Sequence, residues 1–280
     1  MRLNMDNNRI IANSITRIEI SSMWGKKHIV WNLRPDVNIL SGVNGVGKST
    51  ILSMAVKQLE CFNGNLGETG TTDIAFSFDP VNAQYLNYEV IQSVDRPLVS
   101  GLLSEKVTDS KVVTELDWRI YQLQRRYLDY QVNIGNRTIK MLTSGDPQKV
   151  AMAASMSENR ILFFDIIDSL FAHTGKTIVR DSNEIMFDLD GESISPYSLS
   201  SGEKQILVIF MTILVQDSKP FVLFMDEPDI SLHVEWQQQL IRRILSLNRN
   251  VQIILTTHSP AVIMDGWIDA VTEVEDITIH

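Results

Sequence analysis

The chain has 280 residues, of which 44% are hydrophobic and 21% charged, with a net charge of −9 at neutral pH. This composition is typical of one large α/β domain or two small ones, and the negative charge excludes a uniformly basic nucleic-acid-binding protein, although not a local basic face. The single cysteine, Cys61, excludes an internal disulfide, and no apolar run reaches membrane-spanning length, so we expect a cytoplasmic protein.

The first predicted elements form a β-hairpin. Residues 14–20 alternate between polar and apolar side chains, and residues 28–33 predict the returning strand. The turn between them carries Trp24, whose indole could stack on an adenine. A lone tryptophan in a loop is more often partly packed on the surface, so both interpretations stay open.

A glycine-rich loop, Gly42-Val-Asn-Gly-Val-Gly-Lys-Ser49, separates a short buried strand predicted at residues 36–41 from a helix predicted at residues 49–59. It fits the pattern G-x-x-x-x-G-K-[ST], in which glycines allow several backbone N–H groups to point at phosphates. Lys48 would reach the β- and γ-phosphates, and the Ser49 hydroxyl would hold Mg²⁺. The other expected contacts of this loop with the nucleotide are Asn44, Gly45, Gly47 and Thr50.

Two further strands are predicted at residues 73–78 and 88–94. Gln84 and Gln92 lie near the ends of such segments, and either could bring an amide oxygen to Mg²⁺ and the attacking water. We prefer Gln92 as the metal ligand, although an isolated glutamine is usually a surface residue and the sequence does not decide between the two.

The composition changes from about residue 106 to residue 160. Glycine and proline are sparse over residues 106–134, where apolar side chains recur with helical spacing. A second helix is predicted from Asp146, an N-cap followed by proline, to about residue 171. Basic side chains between the apolar positions form either a solvated face or a surface for nucleic acid or a partner; they are Lys111, Arg119, Arg125 and Arg126.

These observations predict an α/β lobe built from residues 1–104 and 176–280, with a helical insertion at residues 105–175. In the last part, a hairpin is predicted to turn at residues 190–191, and an apolar helix ends near residue 215. Strands and helix alternate again in the segments 221–225, 234–247 and 251–256. The two strands are continuous apolar runs, typical of parallel strands buried on both faces.

Acidic and basic groups follow these two strands. Asp226 and Glu227 come directly after the first, at the carboxyl edge of the sheet where ligands bind. Asp226 would hold Mg²⁺, and Glu227 would polarise the attacking water. His258 follows the second strand and could contact a γ-phosphate or that water, although a lone histidine is usually structural.

The segment Leu-Ser-Ser-Gly-Glu at residues 199–203 predicts a helix start, with Ser200 as the cap and Glu203 completing a capping box. Four motifs follow one another along the chain: the phosphate loop, this signature segment, the hydrophobic strand ending in Asp-Glu, and the histidine after the next strand. They stand in the order found in the ATP-binding-cassette ATPases, which the chain resembles over residues 14–95 and 195–265. Ser201, Glu203 and the ending Thr-Thr-His-Ser-Pro at residues 256–260 are similar to the SMC, RecF and OLD-like ATPases rather than to transport cassettes.

The resemblance implies an α/β P-loop ATPase head with a mixed or parallel sheet, an N-terminal antiparallel β subdomain and an inserted helical subdomain. ATP and Mg²⁺ are the implied cofactors. Two copies would pair head to tail, with ATP on one phosphate loop capped by the partner copy's residues Ser200, Ser201, Gly202 and Glu203, and with residues 229–233 at the subunit boundary.

Small ATPases of this kind imply a separate, nuclease-like effector and a role in bacterial anti-phage defence or DNA repair. Binding of DNA or RNA stays open, and no membrane contact is expected. Two alternatives remain. The ATPase subunit of a membrane transporter is disfavoured by the signature segment and the helical insertion. A nucleotide-dependent scaffold with negligible turnover is disfavoured by Glu227 and His258.

Overall fold

A computed structural model describes residues 9–64, 73–92 and 112–279. Among these residues, no helix combines the length and the apolar character that crossing a membrane requires. Some expectations lie wholly or partly outside the described residues, among them the end of the strand predicted at residues 88–94, the domain limit at residue 104 and the basic residue Lys111.

The strands are short, and most have two to six residues. In chain order they are β1 (Ile11–Ala12), β2 (Ser14–Met23), β3 (Lys27–Asn32), β4 (Val37–Ser41), β5 (Ile74–Asp79), β6 (Tyr85–Leu86), β7 (Tyr88–Gln92), β8 (Thr177–Ile178), β9 (Phe187–Leu189), β10 (Glu192–Ile194), β11 (Phe221–Asp226), β12 (Val251–Thr256), β13 (Val271–Glu273) and β14 (Thr278–Ile279).

The helices include one that is much longer than the others. In chain order they are α1 (Lys48–Phe62), α2 (Glu115–Leu142), α3 (Pro147–Met152), α4 (Glu158–Leu170), α5 (Ser201–Leu214), α6 (Val234–Leu247) and α7 (Pro260–Met264).

The central sheet has five parallel strands in the order β13-β4-β12-β11-β7. Alternate residues of β11 enter two different hydrophobic cores. Phe221, Leu223 and Met225 pack in the core that contains residues of α2, α4, α5 and α6. Val222 and Phe224 pack in the other core, with residues of α1 and the N-terminal strands. All five are at most 1% exposed. The apolar run is therefore buried on both faces, as predicted.

A second sheet, in the order β14-β3-β2-β5, is antiparallel and covers one face of the central sheet. It contains the predicted hairpin, with β2 extending to Met23 and the turn at Trp24 and Gly25, both of which have positive φ angles. The predicted turn at Asp190–Gly191 also has two positive φ angles and joins β9 to β10 in a small three-stranded antiparallel sheet with β8.

The helical layer on the opposite face differs from the pattern in two places. The helix indicated by the apolar spacing within residues 106–134 continues through Gly135 to Leu142. One glycine costs only about 1 kcal/mol in a helix, and packing of Ile134 against the core supports the continuation. The helix expected over residues 146–171 is broken by a 3₁₀ turn at Ala153–Ser157, where Ala153 is buried.

The expected α/β class, with a parallel sheet, an antiparallel N-terminal sheet and helices inserted between β7 and β11, is confirmed. The domain limits at residues 104 and 175 stay predictions.

Helix α5 lies at the centre of the helical core, and Phe210 on it is 0% exposed. We predict that Phe210→Ala lowers the free energy of unfolding by about 3–5 kcal/mol, because it leaves a large cavity. Denaturant unfolding followed by circular dichroism measures this loss. Val132→Ala, at a 61% exposed position of α2, is the control and should change it by at most about 0.5 kcal/mol. Equal losses in both variants would contradict the assignment of α5 to the core.

Candidate nucleotide-binding site

Four strands of the central sheet end at the same edge, and each leads to a predicted site residue. Strand β4 leads into the phosphate loop, β7 ends at Gln92, β11 ends at Asp226, and β12 ends two residues before His258. The register pairs Asp226 with Thr256 on one side and with Gln92 on the other. Because ligands of parallel α/β sheets bind at the carboxyl ends of strands, this edge is the candidate site.

The phosphate loop needs its glycines. Gly42, Gly45 and Gly47 have φ angles of 141°, 81° and 116°, which side chains rarely adopt. Asn44 and Gly45 are exposed, and the loop passes directly into α1, whose first turn contains Ser49 and Thr50. No described side chain caps this 15-residue helix at its N-terminus, so its first N–H groups are free to donate hydrogen bonds to an anion.

The ammonium group of Lys48 is nearly buried, with the residue 5% exposed. It lies 2.6 Å from Nε2 of His258, and it donates to the carbonyl oxygens of Gly42 and Val43 at 3.1 and 3.4 Å. In the part of the chain that the structure describes, no carboxylate lies within 4.0 Å of it. A buried cation is costly without a counter-charge, and an anionic phosphate would supply one.

Ser49 and Asp226 meet across the loop and the sheet. The Ser49 hydroxyl donates to Oδ1 of Asp226 at 2.9 Å, and Thr256 donates to the same oxygen at 2.6 Å. Gln92 lines one small cavity with Ser49 and Asp226. Hydroxyl, carboxylate and amide oxygens are ligands that Mg²⁺ accepts. The described residues contain no cluster of three or more His, Cys, Asp or Glu, so the phosphates and water would have to complete the coordination.

The two candidate glutamines border different strands, and these strands belong to different sheets. Gln92 is the last residue of β7, at the carboxyl edge, whereas Gln84 precedes β6 and donates its backbone N–H to the carbonyl of Ile10. The geometry therefore favours Gln92 over Gln84 as the residue near Mg²⁺.

Glu227 has a φ angle of 48°, which is unusual for a residue other than glycine. Its backbone N–H donates to the carbonyl and hydroxyl oxygens of Thr256, at 3.1 and 3.0 Å, and these bonds hold the strained turn. Oε1 of Glu227 lies 3.4 Å from Nε2 of His258. Glu227, His258 and Lys48 thus form one continuous series of contacts. The motif pattern did not mark Thr256, because its role depends on the neighbouring strand.

Trp24 lies beside the phosphate loop. A Cβ atom built on Gly47 would come within 3.0 Å of the indole ring, and 55% of the tryptophan is exposed. Lys27 places its ammonium 5.6 Å from the ring centre. This position is compatible with stacking on an adenine.

The signature segment begins α5 with the predicted capping box. The Ser200 side chain accepts from the backbone N–H of Glu203, and the Glu203 carboxylate accepts from the backbone N–H of Ser200. Ser200 and Ser201 are exposed at the start of the helix, and Gly202 is partly buried.

Glu203 requires a correction, because we expected it to contact the nucleotide. Its side chain is 2% exposed, and Oε1 accepts hydrogen bonds from Lys176 at 2.8 Å and Thr174 at 2.9 Å. Burial raises the pKa of this carboxyl, but hydrogen bonds from Lys176, Ser200 and Thr174 outweigh burial and hold the pKa below its usual value. The carboxylate faces the interior of its own subunit and fixes the shape of the segment.

Gly202 packs against the loop at residues 229–233. A Cβ atom at this position would lie 2.5 Å from the carbonyl oxygen of Ser231, so only glycine allows this approach. In the same loop, the Asp229 carboxylate accepts a bond from Thr257 at 2.7 Å inside the subunit, whereas Ile230 is 62% exposed. Ile230, rather than Asp229, is therefore available to a subunit boundary.

Two of the basic positions of α2 have carboxylate partners inside the subunit. Arg126 lies 2.6 Å from a carboxylate oxygen of Glu89 on β7, and Arg119 lies 3.6 Å from the other oxygen. Arg119 also donates to the carbonyl of Val90 at 2.7 Å. Arg125 stacks over the ring of Tyr121. Arg119 and Arg126 therefore attach α2 to the strand that ends at Gln92, although their side chains stay 34% and 38% exposed.

Comparisons with known proteins give a family and two kinds of relative. Residues 63–265 match the family model described as AAA domain, putative AbiEii toxin, Type IV TA system. The chain is 24% identical over 305 residues to the Septu protein PtuA of Bacillus thuringiensis, covering 91% of this chain and 74% of that protein. It is 37% identical over 90 residues to the Retron Ec83 probable ATPase of Escherichia coli, but this match spans 28% of this chain and only 17% of that protein.

Among solved structures, an SMC head bound to the C-winged helix domain of ScpA is similar, with a TM-score of 0.50 and 14% identity over 90% of this chain and 92% of that one. At this identity the likeness shows the fold alone, which is that of an SMC-type ATPase head. The family model covers most of the chain, and it follows that the protein belongs to the AAA-domain family described as putative AbiEii toxin, Type IV TA system.

Proposed function

We propose that the protein is an ATPase that dimerises on ATP and switches a separate effector protein, in anti-phage defence or DNA repair. The observation that carries this proposal is the meeting of two sets of contacts at one edge of the sheet. In one, His258 contacts both Lys48 and Glu227, and in the other, Ser49 donates to Asp226. The set contains a phosphate-binding cation, oxygen ligands for a metal, and a carboxylate that can accept a proton.

The phosphate loop and Lys48 would bind the triphosphate. The ammonium of Lys48 and the free N–H groups at the start of α1 match the charge of the β- and γ-phosphates. Ser49, Asp226 and Gln92 would hold Mg²⁺, which when bound neutralises phosphate charge in the transition state.

Glu227 would act as the general base in hydrolysis. Its carboxylate would accept a proton from the attacking water, and His258, 3.4 Å away, would hold that carboxylate and contact the γ-phosphate. The two backbone bonds to Thr256 keep Glu227 in place without using its side chain. The carboxylate therefore stays available for the water.

The dimer depends on the signature segment. Ser200 and Ser201 are exposed at the first turn of α5, where backbone N–H groups and a hydroxyl can approach the γ-phosphate bound to a second copy. Glu203 does not take part directly, but its capping bonds shape that first turn. ATP would thus join two subunits, and hydrolysis would separate them and change the state of the effector.

The similarity to proteins named for a retron and for Septu supports the defence context for this chain. A nuclease-like effector as a separate chain, and contact with DNA or RNA, remain part of the proposal. The pairing of Arg119 and Arg126 with Glu89 weakens the case for nucleic-acid binding by α2 itself.

We predict that Lys48→Ala weakens ATP binding by about tenfold to a hundredfold, because hydrogen bonds from a charged group to phosphate are lost. Isothermal titration calorimetry with ATP and Mg²⁺ measures the effect. Lys57→Ala, at an exposed position of the same helix, is the matched control and should bind as the wild type does. Unchanged affinity in Lys48→Ala would remove the nucleotide site from this loop.

We predict that Glu227→Gln lowers phosphate release by about a hundredfold or more, because the amide cannot accept the proton. ATP binding should persist, and the variant should accumulate as a dimer in light scattering with saturating ATP and Mg²⁺. Glu235→Gln, an exposed position in the first turn of α6, should leave both readouts unchanged. A Glu227→Gln protein that stays monomeric under these conditions without a partner chain would overturn the sandwich. Wild-type turnover no faster than that of this variant would favour the scaffold alternative.

A mixing experiment tests whether each site is shared between copies. Lys48→Ala and Ser200→Arg should each be inactive alone, because one lacks the phosphate cation and the other obstructs the cap. A 1:1 mixture forms hybrid dimers with one intact site, so about a quarter of the wild-type phosphate release should return. No recovery, although Ser200→Arg still binds ATP, would show that the two groups do not serve one site in different copies.

A further inference from the structure

Lys204 follows Glu203 in the first turn of α5 and is also buried. Its ammonium lies 2.8 Å from Oδ1 of Asp117 on α2, and the two side chains are 11% and 3% exposed. An ion pair so deeply buried contributes little net stability, but removing either partner leaves an uncompensated charge. The pair therefore fixes a position more than it adds binding energy.

The same carboxylate forms the start of α2. Oδ2 of Asp117 accepts from the backbone N–H groups of Val113 and Thr114, at 3.1 and 3.0 Å. The N–H of Asp117 donates to the Thr114 hydroxyl at 3.2 Å, which completes a capping box. One oxygen of Asp117 thus caps the start of α2, and the other forms the ion pair with Lys204 on α5.

The two consecutive charges of α5 are anchored to different elements. Glu203 is held by Lys176, which precedes β8, and Lys204 is held by Asp117 on α2. Both anchors lie outside the signature segment, so the position of Ser200, Ser201 and Gly202 depends on groups that the segment itself does not contain.

The helices α2 and α5 also meet at their far ends. Arg137 of α2 lies 2.7 Å from Oδ1 of Asp217, just after α5, and the two side chains are 45% and 23% exposed. The helices therefore run side by side in the same direction, with one ion pair at each end. The outer pair is solvated and far from the signature segment, which makes it a natural internal control.

We propose that Lys204 is a positioning residue of the ATP sandwich: through Asp117 it holds the signature segment at a place set by the inserted helix α2. This inference rests on the proposed function. A displacement of α2 moves the carboxylate to which Lys204 is attached, and the first turn of α5 moves with it. The inserted helices thereby gain control over whether the segment can reach a nucleotide on the second copy.

The test compares Lys204→Met with Arg137→Met. The second variant removes the ion pair between α2 and Asp217, the residue that lies just after the C-terminal end of α5. Hydrogen exchange of the amides at residues 203 and 204, which donate to the side chain and the carbonyl of Ser200, reports the order of the segment when it is measured without nucleotide. Dimerisation at saturating ATP and Mg²⁺, measured by light scattering in the Glu227→Gln background, reports the consequence. Calorimetry with ATP reports the Lys48 pocket, which should not change.

Lys204→Met should speed exchange of the amides at residues 203 and 204 and weaken dimerisation about tenfold, with unchanged ATP affinity of the monomer. Lys204→Arg should restore both readouts, because it keeps the charge, and Arg137→Met should resemble the parent protein. Lys204→Met matching Arg137→Met in both readouts would overturn the inference.

Asp117→Asn serves if Lys204→Met fails to fold, as judged by circular dichroism, since the amide oxygen still accepts the bonds that cap α2. It should show the same faster exchange, and parental exchange in this variant would overturn the inference. If the parent protein itself does not dimerise with ATP, the proposed function fails, whereas the exchange measurement, which needs no nucleotide, still decides the role of Lys204.

Discussion

The carboxylate of Asp226 joins the elements on which the candidate site depends. One of its oxygens accepts bonds from Ser49 at the start of α1 and from Thr256 at the end of β12, while Asp226 itself ends β11. These bonds connect the phosphate loop to two neighbouring strands. The parallel sheet makes this possible, because it brings the carboxyl ends of its strands to one edge. Every other site residue is placed relative to that edge.

The signature segment shows a different kind of constraint. Its exposed serines stand on a helix whose first turn contains two buried charges, Glu203 and Lys204. Each charge has a partner from elsewhere in the chain. Asp117, the partner of Lys204, lies on the inserted helix α2, and Lys176, the partner of Glu203, lies just after the insertion. The position of this exposed turn, which we propose faces a second copy, therefore depends on bonds inside the subunit, and residues far from the nucleotide site can alter its geometry.

Local patterns predicted much of the architecture. The helix at residues 234–247 and the strand at residues 251–256 have the bounds that periodicity indicated. The pattern did not show that the long helix continues through Gly135, where tertiary packing outweighs a modest helix propensity. The prediction of one continuous helix over residues 146–171 failed at the 3₁₀ turn that starts with buried Ala153. Glu203 was expected to contact the nucleotide, because the short segment does not show that Lys176, which lies elsewhere in the chain, pairs with its carboxylate inside the subunit.

The sequence by itself determined the strand-loop-helix around Lys48, the two acids at the end of β11 and the capping box at Ser200, because each depends on residues adjacent in the chain. Only the tertiary structure decided that Gln92 and not Gln84 reaches the site edge, that Arg126 turns toward Glu89, and that Lys204 meets Asp117. These outcomes depend on groups far apart in the sequence, whose meeting is set by strand order and helix packing, and no local pattern encodes them.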